Sequence, residues 1–413
     1  MKYGCIGENL KHSFSKEIHY MLGSYDYELR EIKKDSLDSF MIDRDFLAIN
    51  VTIPYKERVI PHLYYIDEHA HLIGAVNTVV NRAGKLYGYN TDFFGLLKLI
   101  EHAQISVKGK NVAILGTGGT SKTALSVCEY LGAKNIVRAS RSGKEGAISY
   151  SLLYEEHKDT EIIINTTPVG MFPNCSDAPI DINLFPSLSG VIDAVYNPLR
   201  TTLISSAKQK GIAAEGGLYM LVAQAVRASE IFLDTEYEKS VIDEVYKKVS
   251  RKKENIVLIG MPSSGKSTVG NIISSACGRR FVDTDGIIEK NGGITITEIF
   301  KAHGEAKFRD IESEAVKEAA SGTGLVLATG GGTVLREENV KALKQNGILY
   351  FIDRPLEKLM PTEDRPLSSS REAIEKRYKE RYPIYKRTAD VIIDADCEAN
   401  EVAEKILSAH SNF

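Results

Sequence analysis

From Asn255 to Thr268 the chain reads Asn-Ile-Val-Leu-Ile-Gly-Met-Pro-Ser-Ser-Gly-Lys-Ser-Thr, and no other stretch limits its fold so closely. Four apolar residues, Ile256 to Ile259, predict a buried strand. Gly260 and Gly265 then bracket the G-x-x-x-x-G-K-S/T spacing of a phosphate-binding loop. Glycines there let consecutive backbone N–H groups converge on phosphate oxygens, and the following helix adds the positive end of its dipole. Read this way, Gly260, Ser263, Ser264, Gly265, Lys266, Ser267 and Thr268 surround a nucleoside triphosphate. Lys266 reaches its β- and γ-phosphates, and the Ser267 hydroxyl faces Mg2+.

At 413 residues the chain exceeds one ordinary core, so two or three domains are expected. Apolar strand-like runs alternate with helical patterns nearly throughout, which predicts α/β organisation. The formal net charge of −3 offers no basic field for nucleic acid, so small anions need local sites. Cys5, Cys128, Cys175, Cys277 and Cys397 form no C-x-x-C pair and read as reduced thiols of a cytoplasmic protein. No apolar run approaches the ~18 residues of a membrane span, and residues 1–7 lack the apolar core of a signal peptide. A helical stripe of Val241, Ile242, Val245 and Val249 runs into the charged Ser250–Glu254 stretch, which reads as a linker. A domain boundary is expected near residue 252.

A second glycine loop, Gly116-Thr-Gly118-Gly119, follows the apolar run Val112–Leu115 and opens a helical pattern. This is the arrangement of a dinucleotide-binding unit, with Ser121 in place of the third glycine. The next predicted strand, Asn135–Ser140, ends in Ser140-Arg141-Ser142-Gly-Lys144 rather than in the carboxylate that would hold an NAD ribose. Hydroxyl and cationic groups suit a 2′-phosphate, so NADP is favoured.

Upstream stand His12-Ser13-Phe-Ser15, Asn50-Val-Thr52-Ile-Pro-Tyr-Lys56, Gly74-Ala-Val-Asn77-Thr78 and Gly88-Tyr-Asn90-Thr-Asp92. Downstream come Asn165-Thr-Thr-Pro-Val-Gly-Met171, Asp193-Ala-Val-Tyr196-Asn-Pro198 and Gly217-Leu-Tyr-Met-Leu-Val-Ala-Gln224. In this order the series closely resembles shikimate dehydrogenases over residues 1–252. The resemblance implies an α/β substrate domain (1–100 and about 220–252) and a Rossmann NADP domain (101–219). It implies that Ser13 and Ser15 hold a substrate carboxylate, that Thr52, Asn77, Asp92, Tyr196 and Gln224 meet the rest of the substrate, and that Lys56 and Asp92 are the catalytic pair. Gly116, Gly118, Gly119, Ser140, Arg141, Ser142, Lys144, Met171 and Gly217 would hold NADP. Such chemistry needs a pair of this kind, because hydride delivered to a ketone leaves an alkoxide that must be protonated as it forms. Lys16 stands where the family has proline, and Ala139-Ser140-Arg141-Ser142 replaces its Asn-Arg-Thr.

Residues 253–413 resemble shikimate kinases. Asp283-Thr-Asp285, Gly304-Glu305-Ala-Lys-Phe308-Arg309-Asp-Ile-Glu312, Thr329-Gly330-Gly331-Gly332, Arg365-Pro366-Leu367 and Arg381-Tyr-Pro-Ile-Tyr385 follow the phosphate loop in family order. The resemblance implies that Asp285, Arg309, Gly330, Gly331, Gly332 and Arg381 bind shikimate, and that Lys266, Asp285 and Arg365 are catalytic, with Arg365 on a lid over ATP. Arginines suit a carboxylate, and a carboxylate orients a hydroxyl. The run before Gly330 lacks a terminal acidic residue, so Mg2+ would rest on Ser267, phosphates and Asp283 through water.

The expectation is therefore a P-loop kinase domain with a parallel sheet, fused behind a two-domain dehydrogenase. The cofactors implied are NADP(H), ATP and Mg2+, the substrates 3-dehydroshikimate and shikimate, with neither nucleic acid nor membrane as a partner. Two rival readings are a quinate-directed first half and a half that binds ligand without catalysis.

Overall fold

The structure is a computed structural model that describes residues 1–8, 10, 14–23, 25–143, 146–361 and 370–411. Ser13, Lys144 and Arg365 lie outside the described residues. The chain divides into two compact units, one of residues 1–197 with 201–249 and one of residues 198–200 with 250–413.

The first unit holds two sheets. In the first sheet, β1 (Tyr3–Gly7), β2 (Tyr27–Glu31), β3 (Ala48–Val51), β4 (Tyr65–Ile66), β5 (Thr78–Arg82) and β6 (Lys85–Tyr89) stand in the order β2-β1-β3-β5-β6-β4. Strand β5 is antiparallel to both β3 and β6, while β1 runs parallel to β2 and β3. Ile6, Ile49, Val51, Val79 and Leu86 fill the core beneath it.

The second sheet contains β7 (Asn111–Leu115), β8 (Asn135–Ser140), β9 (Ile148–Ser149), β10 (Ile162–Asn165), β11 (Gly190–Asp193) and β12 (Ala213–Glu215). Its order, β9-β8-β7-β10-β11-β12, is all parallel and is the 3-2-1-4-5-6 order of a dinucleotide-binding fold. The order reverses between β7 and β10, so their carboxyl ends open a crevice where a nucleotide binds. Helices Thr91–His102 and Leu218–Leu233 pack together. The absence of a side chain at Gly95 permits this, since a Cβ there would lie 2.7 Å from the Met220 carbonyl oxygen.

The second unit is a parallel five-stranded sheet of β13 (Asn255–Ile259), β14 (Phe281–Asp283), β15 (Val326–Ala328), β16 (Gly347–Asp353) and β17 (Val391–Asp394), ordered β14-β15-β13-β16-β17. Strand β13 is buried at every residue, as its unbroken apolar run requires. The phosphate loop leaves its carboxyl end at the switch point of the sheet.

The charged Ser250–Glu254 stretch is not the loose linker that its composition suggests. Ser250 to Lys253 complete the helix Val241–Lys253, whose Ile242, Val245 and Val249 are buried. Glu254 is itself buried, and its carbonyl accepts from the Arg279 guanidinium. Charge along a helix end marks a solvated face, which sequence alone does not separate from a linker.

Candidate functional sites

A cavity of about 580 Å3 lies between the two sheets of the first unit. Strand β3 and the turn after it bring Asn50, Thr52 and Lys56 to its wall, and the amino end of helix Thr91–His102 brings Asp92. Asn90 caps that helix by accepting from the Phe93 N–H at 3.2 Å, which sets the first turn in place. The Lys56 ammonium then lies 2.6 Å from the Asp92 carboxylate, with both side chains mostly buried. Asn77 and Gln224 join from opposite sides, for Thr91 donates its N–H to Asn77 Oδ1 at 2.8 Å and its hydroxyl lies 3.3 Å from Gln224 Oε1.

Ser15, Tyr196, Met171 and Gly217 also line the cavity, so Ser15, Thr52, Asn77, Asp92, Tyr196 and Gln224 of the expected substrate residues and two of the expected nucleotide residues share it, Ser13 lying outside the described residues. Gly217 must be glycine, because any Cβ would overlap the Ala194 carbonyl. Sequence reading named no role for Asn50. Its buried amide accepts from Tyr27 at 2.7 Å and donates to Thr78 at 3.1 Å and to the Asn77 carbonyl at 3.3 Å, which ties β3 to the Asn77 turn. Its place inside the Asn50–Lys56 motif was the available signal.

On the nucleotide side, Gly116 has φ 112°, a region that favours glycine, and the helix Gly119–Tyr130 begins directly after Gly118. A Cβ on Gly118 or Gly119 would meet nothing within 4 Å, so this helix start is open to an anion. Ser121, at the third glycine position, donates its hydroxyl to the Gly116 carbonyl at 2.7 Å and locks the turn. Ser140 ends β8 with a buried hydroxyl that has no partner among the described residues, and Arg141 and Ser142 follow it, exposed. Arg138 was missed, yet its guanidinium lies 3.0 Å from the Cβ position of Gly146, beneath the same turn.

In the second unit the phosphate loop takes its curvature from Gly260 (φ 152°), Ser263 (φ 63°) and Gly265 (φ 90°). The Lys266 ammonium donates to the carbonyls of Gly260 at 3.0 Å and Met261 at 2.8 Å, folded over its own loop. Among the described residues the buried side-chain oxygens of Ser263 and Ser264 have no partner, as donors awaiting phosphate oxygens would. Ser267 lies at the start of helix Lys266–Cys277 and donates to Asp283 at 2.7 Å. A hydroxyl and a carboxylate so placed are oxygen donors of the kind Mg2+ takes alongside phosphates and water. Among the described residues no three His, Cys, Asp or Glu side chains cluster as a closed metal cage. At the end of β15, Thr329 bonds the Leu258 carbonyl at 3.1 Å where other phosphate-loop proteins carry an acidic residue.

Beside this loop, Gly330, Gly331 and Gly332 form a floor. The Gly331 carbonyl accepts from the Tyr385 hydroxyl and, at 3.1 Å, from the Arg381 guanidinium. Asp285 stands in the first turn of helix Thr284–Gly292, with Oδ1 2.9 Å from the Cβ position of Gly330. Arg309 packs so closely on Gly332 that a Cβ there would overlap its guanidinium. Read from sequence as a substrate clamp, Arg309 is already held by two carboxylates, Glu312 at 2.6 Å and Glu305 at 3.0 Å. Glu312, buried at 1% side-chain exposure, also accepts from Thr333 at 2.9 Å. Both glutamates stood in the quoted motif at helical i+3 and i−4 spacing from Arg309, a signal that received no role.

Comparison with known proteins matches two families to separate parts of the chain. The family model described as shikimate dehydrogenase substrate binding domain matches residues 5–79, and that described as shikimate kinase matches residues 262–411. The shikimate dehydrogenase (NADP(+)) of Clostridium perfringens is 38% identical over 60% of this chain and 97% of its own. The crystal structure of shikimate dehydrogenase 1 from Peptoclostridium difficile matches with a TM-score of 0.55 and 37% identity, covering 60% of this chain and 98% of that one. A Thermus thermophilus shikimate 5-dehydrogenase solved with NADP(H) and shikimate matches with a TM-score of 0.55 and 27% identity, over 60% of this chain and 99% of that one. The chain thus belongs to the shikimate dehydrogenase family through its first part, and behind it carries a shikimate kinase domain.

Proposed function

We infer that this chain carries out two successive reactions, the NADPH-dependent reduction of 3-dehydroshikimate to shikimate and the MgATP-dependent phosphorylation of shikimate. The observation that carries the reading is the Lys56–Asp92 pair at 2.6 Å on the wall of a cavity that opens beside a dinucleotide loop. NADPH supplies the hydride when bound. Lys56 is then the proton donor to the forming alkoxide, and Asp92 holds its ammonium in line and binds a substrate hydroxyl. Ser13, Ser15, Thr52, Asn77, Tyr196 and Gln224 orient the substrate, while Ser140, Arg141, Ser142 and Lys144 read the 2′-phosphate.

In the kinase half, MgATP supplies the phosphoryl group. Asp285 orients the accepting hydroxyl, and Arg309 and Arg381 hold the substrate carboxylate above the Gly330–Gly332 floor. Lys266 leaves the carbonyls of its own loop to meet the phosphates, and the family resemblance gives Arg365 a share in that charge neutralisation. We place the protein in the cytoplasm. Its five cysteines are all free, as in a reducing compartment, and among the described residues no helix is long and apolar enough to cross a membrane.

A single coupled assay tests the whole reading. With 3-dehydroshikimate, NADPH and MgATP, the chain oxidises NADPH, and shikimate 3-phosphate forms after shikimate. NADPH oxidation without phosphate transfer, or phosphorylation of added shikimate without reduction, would limit the chain to one activity.

A further inference from the structure

The two carboxylates on Arg309 differ in kind. Glu312 is buried and cross-linked to Thr333, whereas the Glu305 side chain is 52% exposed. Gly332 packs on the guanidinium and the Phe308 ring lies 5.3 Å from it, while the exposed Glu305 holds its Nη2. The backbone gives Glu305 freedom to turn away. Gly304 breaks the helix Ile296–Ser321 with φ 75° and ψ 176°, and Glu305 is the first residue after that break.

A destination lies nearby. Arg377 precedes Arg381 by one turn on helix Arg371–Thr388, so the two guanidinium groups share a face. Burial and the charges of Arg381 and Arg309 lower the proton affinity of Arg377, while Glu305 and Glu380 raise it. An incoming carboxylate crowds the Arg309 guanidinium, which already carries two anions.

Resting on the kinase reading above, we propose that Glu305 occupies the place of the substrate carboxylate in the free protein, that the substrate displaces it from Arg309, and that Arg377 receives it. Glu305 is then a specificity-setting residue, since only an anionic ligand of matching charge can replace it without leaving Arg309 half-paired.

The test uses the full chain and steady-state phosphorylation of shikimate at saturating MgATP. Absence of turnover in the unsubstituted chain ends the kinase reading itself, before any variant is needed. Given turnover, Glu305→Gln keeps the side-chain shape without its charge. Its KM for shikimate falls about twofold to fivefold, the worth of a half-exposed ion pair, with kcat changed by less than about twofold. Arg377→Gln raises KM by a similar factor, and the double variant returns to the low KM of Glu305→Gln. The KM for MgATP and the thermal unfolding midpoint stay the same in all three, which reports an intact kinase domain. A KM in Glu305→Gln equal to or above that of the unsubstituted chain overturns the proposal, because Glu305 would then only hold Arg309 in place. An unmoved KM in Arg377→Gln removes Arg377 as the receiver.

Discussion

The Lys56 ammonium and the Asp92 carboxylate, 36 residues apart in the chain, meet at 2.6 Å on the wall of the large cavity. Lys56→Ala removes the proposed proton donor and should cut 3-dehydroshikimate reduction by about 10²–10⁴-fold, the usual worth of general acid catalysis. Phosphorylation of added shikimate should be untouched. Initial rates of NADPH oxidation decide it, and a near-normal rate would show that another group supplies the proton.

Arg141 follows the buried Ser140 hydroxyl, which has no partner among the described residues, at the end of β8. Arg141→Ala should weaken NADPH far more than NADH, since only NADPH carries the 2′-phosphate. One charge-assisted contact is worth about 10–150-fold in affinity, and the exposure of Arg141 points to the lower end. Equal losses for the two cofactors, measured by fluorescence titration, would assign the 2′-phosphate to other groups.

Asp193 is fully buried, and burial pushes its carboxyl up from 3.8 to about 6, against hydrogen bonds from Thr201, Val195 and Asn165 that act to lower it. The folded state therefore holds this proton more tightly than the unfolded chain does. The resulting stabilisation is complete below pH ~4 and is lost as pH rises through about 6, a linkage on the order of 3 kcal/mol. Asp193→Asn should remove that slope, so its unfolding midpoint should gain on the unsubstituted protein between pH 4 and pH 7. Parallel midpoint curves across this range would mean that Asp193 titrates normally.

Gly332 leaves no room for a methyl group beside Arg309. Gly332→Ala should drive the guanidinium off its seat and raise the KM for shikimate phosphorylation about 10–150-fold, the worth of a charge-assisted hydrogen bond. Binding of MgATP should persist, because Lys266 and its loop are separate groups. Loss of nucleotide affinity with an unchanged shikimate KM would reverse the roles assigned to the two sides of this site.

Arg279 donates to the carbonyls of both Arg251 and Glu254. A kinase fragment beginning at Ser250 retains these acceptors, and one beginning at Asn255 loses them. The shorter fragment should be less stable by about 1–3 kcal/mol, the worth of charge-assisted hydrogen bonds lost from Arg279, which keeps only His410 Nε2 at 3.1 Å among the bonds its guanidinium makes to described residues. Equal denaturation midpoints would show that the stretch before Asn255 contributes nothing to the domain.

Sequence by itself determined both nucleotide loops, because a phosphate cradle is built from consecutive backbone N–H groups and its geometry is written in glycine spacing. It determined the strands that feed those loops, since a buried parallel strand must be apolar throughout, as Ile256–Ile259 and Val112–Leu115 are. It also placed Lys56 and Asp92, Asp285 and Arg309 in motifs whose order is specific. What only the tertiary structure decided is who partners whom. Thr91 meets Gln224, and Asn50 meets Thr78, because separate elements converge, and no local rule encodes that convergence. The helical spacing of Glu305, Arg309 and Glu312 was visible, but which carboxylate is sealed and which is open depends on the break at Gly304 and on the glycine floor packed against Arg309. The run from Ser250 to Glu254 carries the same lesson, for charge along a chain is read as solvation until the fold shows which of those residues it buries.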